Sequence, residues 1–157
     1  MSRQNAKRAA INAILSLLAS HALAEGPDHK QPIHIDADQG VMERAGQRRL
    51  SGNVRISQGS ILLTADNATL LDAGSGGQKI SCDGHPVKLR QRMGTSPNWL
   101  DARADRCEYD SITGDVRLLG NGWLKKGNDE VTGSLITYNT ATEEIRAEGL
   151  HMTIKPN

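Results

Sequence analysis

The sequence predicts an all-β fold: an elongated solenoid with two open ends and an apolar lumen. Three observations lead there. One phrase is written four times, with roughly 30 residues from glycine to glycine, the range of stacked repeats. Short runs alternate apolar and polar residues with period two, which gives a strand one buried and one wet face. No stretch beyond residue 32 carries a convincing helical period. A unit of this size cannot bury its own apolar face, so stability comes from stacking on its neighbours. Binding along the length suits such an object better than chemistry at one point.

The chain begins with a segment of a different kind. Arg3, Lys7 and Arg8 form a basic start, an apolar run extends from Ala9 to Leu18, and Ala22-Leu23-Ala24 is a small-x-small cleavage site. These are the three parts of a secretory signal peptide over residues 1–24. A retained membrane anchor is the competing reading, but the run is too short to span a bilayer comfortably. Cleavage removes 24 of the 157 residues and leaves 133; three cations and no acid go with them, so the net charge passes from +1 to −2. By length the remainder is one domain. Residues 25–32 form a lead-in, 33–154 the β body and 155–157 its end. The mature chain is expected to be soluble and exported. Its near-zero charge argues against nucleic acid as a partner, because neutralising phosphates needs a concentrated basic patch.

The β elements follow in order. The first strand runs from near Ile33 to Met42 and carries the opening pair Ala37-Asp38. Its partner holds Gly52-Asn53-Val54-Arg55-Ile56. The second copy pairs Ala65-Asp66 with Gly84-His85-Pro86-Val87-Lys88-Leu89. The third pairs Ala104-Asp105 with Gly120-Asn121-Gly122-Trp123-Leu124. The fourth pairs Gly133-Ser134 with Gly149-Leu150-His151-Met152, and its last strand extends from near Ile145 to Ile154. Glycine, Asn, Asp and Ser cluster between the runs, as hairpins require. Residues 72–77 and 93–98 read as flexible loops. The Asp at 38, 66 and 105, with Ser134 in the fourth copy, marks a bend or bulge where a short polar side chain bonds its own backbone.

Aligning the copies gives the interior. Ile33, Ile35, Val54 and Ile56 share the inward phase with Leu63, Leu70 and Leu89. Tyr109, Leu118, Ile136 and Tyr138 continue it. Arg, Lys, Glu and Gln are expected on the other face. With no Phe, two Trp and two Tyr, the core must come mainly from aliphatic side chains. Cys82 and Cys107 also fall at inward positions of neighbouring repeats. In an oxidising compartment they either join as a disulfide or remain two buried thiols acting as small apolar residues.

Enzyme readings find little support. His34, Asp36 and Asp38 could suggest metal ligands, but they alternate with Ile33, Ile35 and Ala37 and read better as a solvated strand face. Recurrent Asp can mean calcium in short-repeat solenoids, yet here it returns only every 30 residues or so, and a bend is the simpler account. No nucleophile elbow, phosphate-binding glycine loop or zinc-spaced Cys/His set is present. No cofactor is expected.

From Gln31 to Ile154 the chain resembles the OstA-like family of lipopolysaccharide-transport proteins. The resemblance rests on Gln31-Pro32-Ile33-His34-Ile35, on Leu50-Ser51-Gly52-Asn53-Val54 with Gln58-Gly59 behind it, and on Ile61 to Leu70 around Ala65-Asp66. Asp83-Gly84-His85-Pro86 and Leu119-Gly120-Asn121 add to it. It implies a slightly twisted β-jellyroll of many antiparallel strands, located in the periplasm, that carries lipopolysaccharide with its acyl chains inside the roll. It also implies end-to-end self-association and joining to same-fold inner-membrane and outer-membrane components. The inward residues above would then bind the lipid A part. Edge strands carrying Ile33 and Ile35 at one end, and Ile145, Ala147 and Ile154 at the other, would make the end contacts. Two other functions fit a solenoid. One is a scaffold that binds only protein through its ends. The other is an inner-membrane relative that keeps its N-terminal anchor.

Overall fold

A computed structural model describes residues 28–43, 46–94 and 98–155. The signal peptide lies outside the described residues, as do residues 25–27 of the lead-in. A 3-10 turn, Asp28–Lys30, precedes ten strands: β1 Ile33–Asp36, β2 Gln39–Met42, β3 Arg48–Gln58, β4 Ile61–Gly74, β5 Gly77–Arg92, β6 Trp99–Asp110, β7 Asp115–Lys126, β8 Asp129–Asn139, β9 Ile145–Glu148 and β10 His151–Thr153. All pairings are antiparallel, and β3 to β8 each pair with their chain neighbours, so these six long strands form a meander. The pairs β1/β2 and β9/β10 pave its two edges.

Every long strand bends in the middle. The register breaks between Ser51 and Val54, Thr64 and Asn67, Asp83 and Val87, Arg103 and Arg106, and Leu119 and Gly122. These are the positions of the repeated phrase. The edges obey the same rule: Ala37-Asp38 separates β1 from β2, and Gly149-Leu150 separates β9 from β10. The first and last strands anticipated from sequence are therefore each two short strands around a corner, and Ile154 lies beyond β10. Aligned corners crease one sheet into two wings that face each other. One wing contains β1, β10 and the strand halves around Ile56, Leu89 and Leu124. The other contains β2, β9 and the halves around Leu70, Ile80 and Ile136.

The corner has a specific chemistry. Asn53 and Asn121 have φ of 47° and 49°, behind Gly52 and Gly120 at 77° and 74°. Two successive left-handed residues turn the strand, and Asn and Gly tolerate that region best. A Cβ on Gly52 would sit 2.5 Å from Asp38 Oδ2, and one on Gly120 2.7 Å from Asp105 Oδ2. The Asp side chains accept hydrogen bonds across the strand pair, from Asn53 Nδ2 to Asp38 and from Asn121 Nδ2 to Asp105, both at 2.8 Å. In the second copy His85 Nδ1 lies 3.0 Å from Asp66 Oδ2. The expectation of a bend was right, but its bonding differs: the Asp reaches the neighbouring strand's corner instead of its own backbone. The anticipated flexible loop at 72–77 is a tight hairpin. Ser75 and Gly76 have φ of 50° and 77°, the two-left-handed-residue turn that matches strand twist.

Candidate functional site

The interior between the wings is built from ladders, one side chain per strand. On one wing, Leu50, Ala68, Cys82, Cys107, Leu118 and Ile136 are successive register partners, ending at Ala147. A parallel ladder runs from Arg48 through Leu70, Ile80, Tyr109, Val116 and Tyr138 to Ile145. On the other wing, Ile35, Ile56, Leu63, Leu89, Ala102 and Leu124 lead to Val131 and Met152. Both wings contribute to one apolar cluster.

Nine of the eleven residues anticipated for the lumen are buried in this cluster: Val54, Ile56, Leu63, Leu70, Leu89, Tyr109, Leu118, Ile136 and Tyr138. Ile33 is half-buried against it, and Ile35, at the edge, is 36% exposed. Val87 and Leu89, not Pro86 and Lys88, take the inward phase of the second copy, because the corner there carries one extra residue.

The polar face is less clean than anticipated. Gln58 and Gln91 are buried on inward rows, and Arg48 continues the Leu70 row. The glutamines close a seam where the wing tips meet, opposite the corners. Tyr109 donates its hydroxyl proton to Gln58 Oε1 at 2.7 Å, and Tyr138 to Gln91 Oε1 at 2.8 Å. Gln58 Nε2 donates to the carbonyls of His29 and Gln31 at 3.0 and 2.9 Å. Gln91 Nε2 donates to Asp28 Oδ2 at 2.8 Å and to the Thr140 carbonyl at 3.1 Å. Asp28 also accepts from Ser60 N and Oγ, both at 2.7 Å. Lys126 bridges the tips to Glu143 at 3.2 Å. Burial pushes both tyrosine phenols above their ordinary range, with Asp28 adding to it, so both remain donors. The lead-in is thus a working part of the seam. Phase puts both glutamines on the inward side, since Gln58 follows Ile56 by two residues and Gln91 follows Leu89 by two, but it does not reveal their partners.

The interior is packed along its middle and opens at the first end. A cavity of about 690 Å³ lies there between Ile33, Ile35 and Leu70, with Gln58, Arg48 and Gln78 among its polar lining. Arg48 donates to Gln78 Oε1 at 3.0 Å. Apolar walls under a cationic rim suit an amphiphile with an anionic head. Both ends leave apolar side chains in solvent: Met42 on β2 is 73% exposed, and Ile154, just past β10, is 71% exposed. Of the anticipated end residues, Ile33, Ile145 and Ala147 pack on the interior, while Ile154 projects past the last strand.

Cys82 and Cys107 face each other as register partners of β5 and β6, both buried as free thiols. Burial pushes the Cys82 thiol up to about 12, and raises Cys107 further from reactivity. His34 and Asp36 stand exposed, and Asp38 is engaged by Asn53. Among the described residues no three His, Cys, Asp or Glu side chains converge on a metal site, and no helix is long and apolar enough to cross a membrane.

Fold and interior together define an open-ended antiparallel β-jellyroll built to contain apolar matter. The chain belongs to the family described as LptA/(LptD N-terminal domain) LPS transport protein, whose pattern matches residues 34–144. It is 30% identical over 141 residues to the lipopolysaccharide export system protein LptA of Haemophilus influenzae, covering 87% of this chain and 81% of that protein. It is 31% identical over 137 residues to the LptA of Escherichia coli K12, covering 84% of this chain and 74% of that one. Its fold matches the crystal structure of LptH, the LptA-homologous periplasmic component of the lipopolysaccharide transport device of Pseudomonas aeruginosa. The TM-score is 0.78 at 22% identity, over 83% of this chain and 99% of that one.

Proposed function

We propose that the chain carries lipopolysaccharide across the periplasm, holding acyl chains between its wings and leaving the saccharide outside. The observation that carries this reading is the unbroken apolar ladder from edge to edge, open at a cationic mouth. Each methylene taken from water contributes about 0.8 kcal/mol, so a multi-acyl lipid needs no special polar constellation to bind. Backbone ladders hold the wings together at the corners, whereas the opposite side is closed by side-chain bonds and the short lead-in. The seam is the side that parts when lipid enters. The chain does no chemistry on its cargo.

Edge strands β1/β2 and β9/β10 each pair on one side only. Such edges accept a further strand by β-augmentation. The two ends differ in sequence, so contact between copies is head to tail, a heterologous contact that builds open filaments. The same ends receive same-fold partners at the two membranes.

The test uses the mature protein purified from an exported form. It should carry lipopolysaccharide, and Ile35→Glu, at the mouth and 36% exposed, should lose it while keeping its β content. A protein that binds only other proteins would purify without lipid in both forms, and that result would remove the carrier reading.

A further inference from the structure

The outer face of the wing that carries Ile56 and Leu89 has a feature the apolar interior does not explain. Both tryptophans of the chain lie on it, and each is covered by an arginine. The Arg90 guanidinium carbon sits 4.4 Å from the Trp99 ring centre, and that of Arg103 4.6 Å from Trp123. Beside Trp123 is a depression of about 290 Å³ bordered by Lys88, Arg90, Arg103, Asp101 and Trp123, with Leu62 and Thr64 at one side. The register places Arg55, Lys88, Arg103 and Trp123 in one outward row across β3 to β7. At about 4.8 Å per strand the row is roughly 19 Å long and parallel to the interior.

The charge on this face is not balanced locally. Asp101 pairs with Arg90 at 3.4 Å, and Glu130 is held by Lys155 at 3.3 Å. Lys88 and Arg103 make no ion pair among the described residues. The outer face of the opposite wing is different: Lys79, Arg106 and Arg117 are paired with Asp110, Asp83 and Glu108. Stacking a guanidinium on an indole keeps the cation in place without neutralising it. Guanidinium and ammonium donors suit phosphate oxygens, and Thr64 and Asp101 on the border offer partners for sugar hydroxyls. The depression is close to the lower bound of ligand pockets, about 300 Å³. Both rings lie flat under arginines instead of projecting, which suits a saccharide better than insertion into a bilayer.

We infer that this outer row is a binding track for the phosphorylated saccharide of the cargo, running alongside the acyl chains held inside. The inference rests on the carrier reading but is tested apart from it. The probe is de-acylated lipopolysaccharide, a phosphorylated saccharide with no acyl chain to enter the interior. It is titrated into the isotopically labelled mature protein while the two indole N–H signals are followed. Both signals should shift, Trp123 the more. Lys88→Ala with Arg103→Ala should weaken binding at least tenfold, and a dephosphorylated saccharide should bind no better than that variant. A parallel arm uses vesicles containing phosphatidylglycerol. Indole signals unmoved by the saccharide overturn the track. So does binding to vesicles alone, which would make the face a membrane contact. Lipid-free protein that still binds the saccharide would keep the track and refute the carrier reading. Bound lipopolysaccharide with silent indoles would do the reverse.

Discussion

The hydroxyl of Tyr138, on one wing, donates a 2.8 Å hydrogen bond to the side-chain oxygen of Gln91 on the other. Both residues are buried, so removing the donor strands the acceptor. Tyr138→Phe should destabilise the protein by about 1–3 kcal/mol. If the seam is the side that parts, the same variant should also take up lipopolysaccharide faster than wild type. Lost stability with unchanged uptake would make the seam structural only.

The corners are tested by a double-mutant cycle. Gly120→Ala places a Cβ against Asp105 at a φ of 74°, and should cost about 1–3 kcal/mol. Asp105→Ala removes the clash but not the strained dihedral. The double variant should therefore lose less stability than the two single variants added together, with coupling of about 0.5 kcal/mol or more. Strict additivity in urea unfolding would show that the Asp and Gly do not meet.

Much of this architecture is legible in the chain. Period-two alternation gives the inward phase of Ile56, Leu70 and Ile136 directly, because a pleated strand alternates sides between one corner and the next. The recurring Ala-Asp and Gly-Asn pairs locate the corners. What they bond to is not legible: the Asp38 to Asn53 contact spans 15 residues and depends on a register that only the folded sheet sets. Gln58, Gln91 and Arg48 escape for a related reason. A polar residue in an inward phase looks like a fault in the pattern until a partner on the facing wing is known. The role of Asp28 is likewise invisible, since nothing local announces that a lead-in will fold across two wing tips.

The cysteines give a pH prediction. The Cys82 thiol has an ordinary value of 9.0 and is pushed up to about 12 by burial. A group that holds its proton more firmly when folded stabilises fully below its unfolded pKa. That contribution is lost as pH rises from about 9 towards 12. Stability should be level from pH 7 to 8.5 and decline above 9. Neither thiol should react with an alkylating agent in the native state at pH 8, and both should react after unfolding. If no thiol appears in the unfolded, unreduced protein, the pair is a cross-strand disulfide instead.

The open ends predict a concentration dependence. Met42→Glu at one end and Ile154→Glu at the other alter exposed side chains without touching the interior. Light scattering of the wild type should show growing oligomers with concentration. Either variant should shift the growth to higher concentration, and the two mixed should assemble no better than dimers joined at their intact ends. A wild type that stays monomeric throughout would remove head-to-tail assembly.

The central claim is that acyl chains lie between the wings. A photo-crosslinking residue placed at Leu70 or Ile136, which face inward, is compared with one at Thr69 or Thr137, their outward neighbours on β4 and β8. Irradiation in cells that make lipopolysaccharide should give covalent lipid adducts at the two inward positions and none at the outward pair. Equal labelling at both pairs, or labelling only outside, would contradict the account.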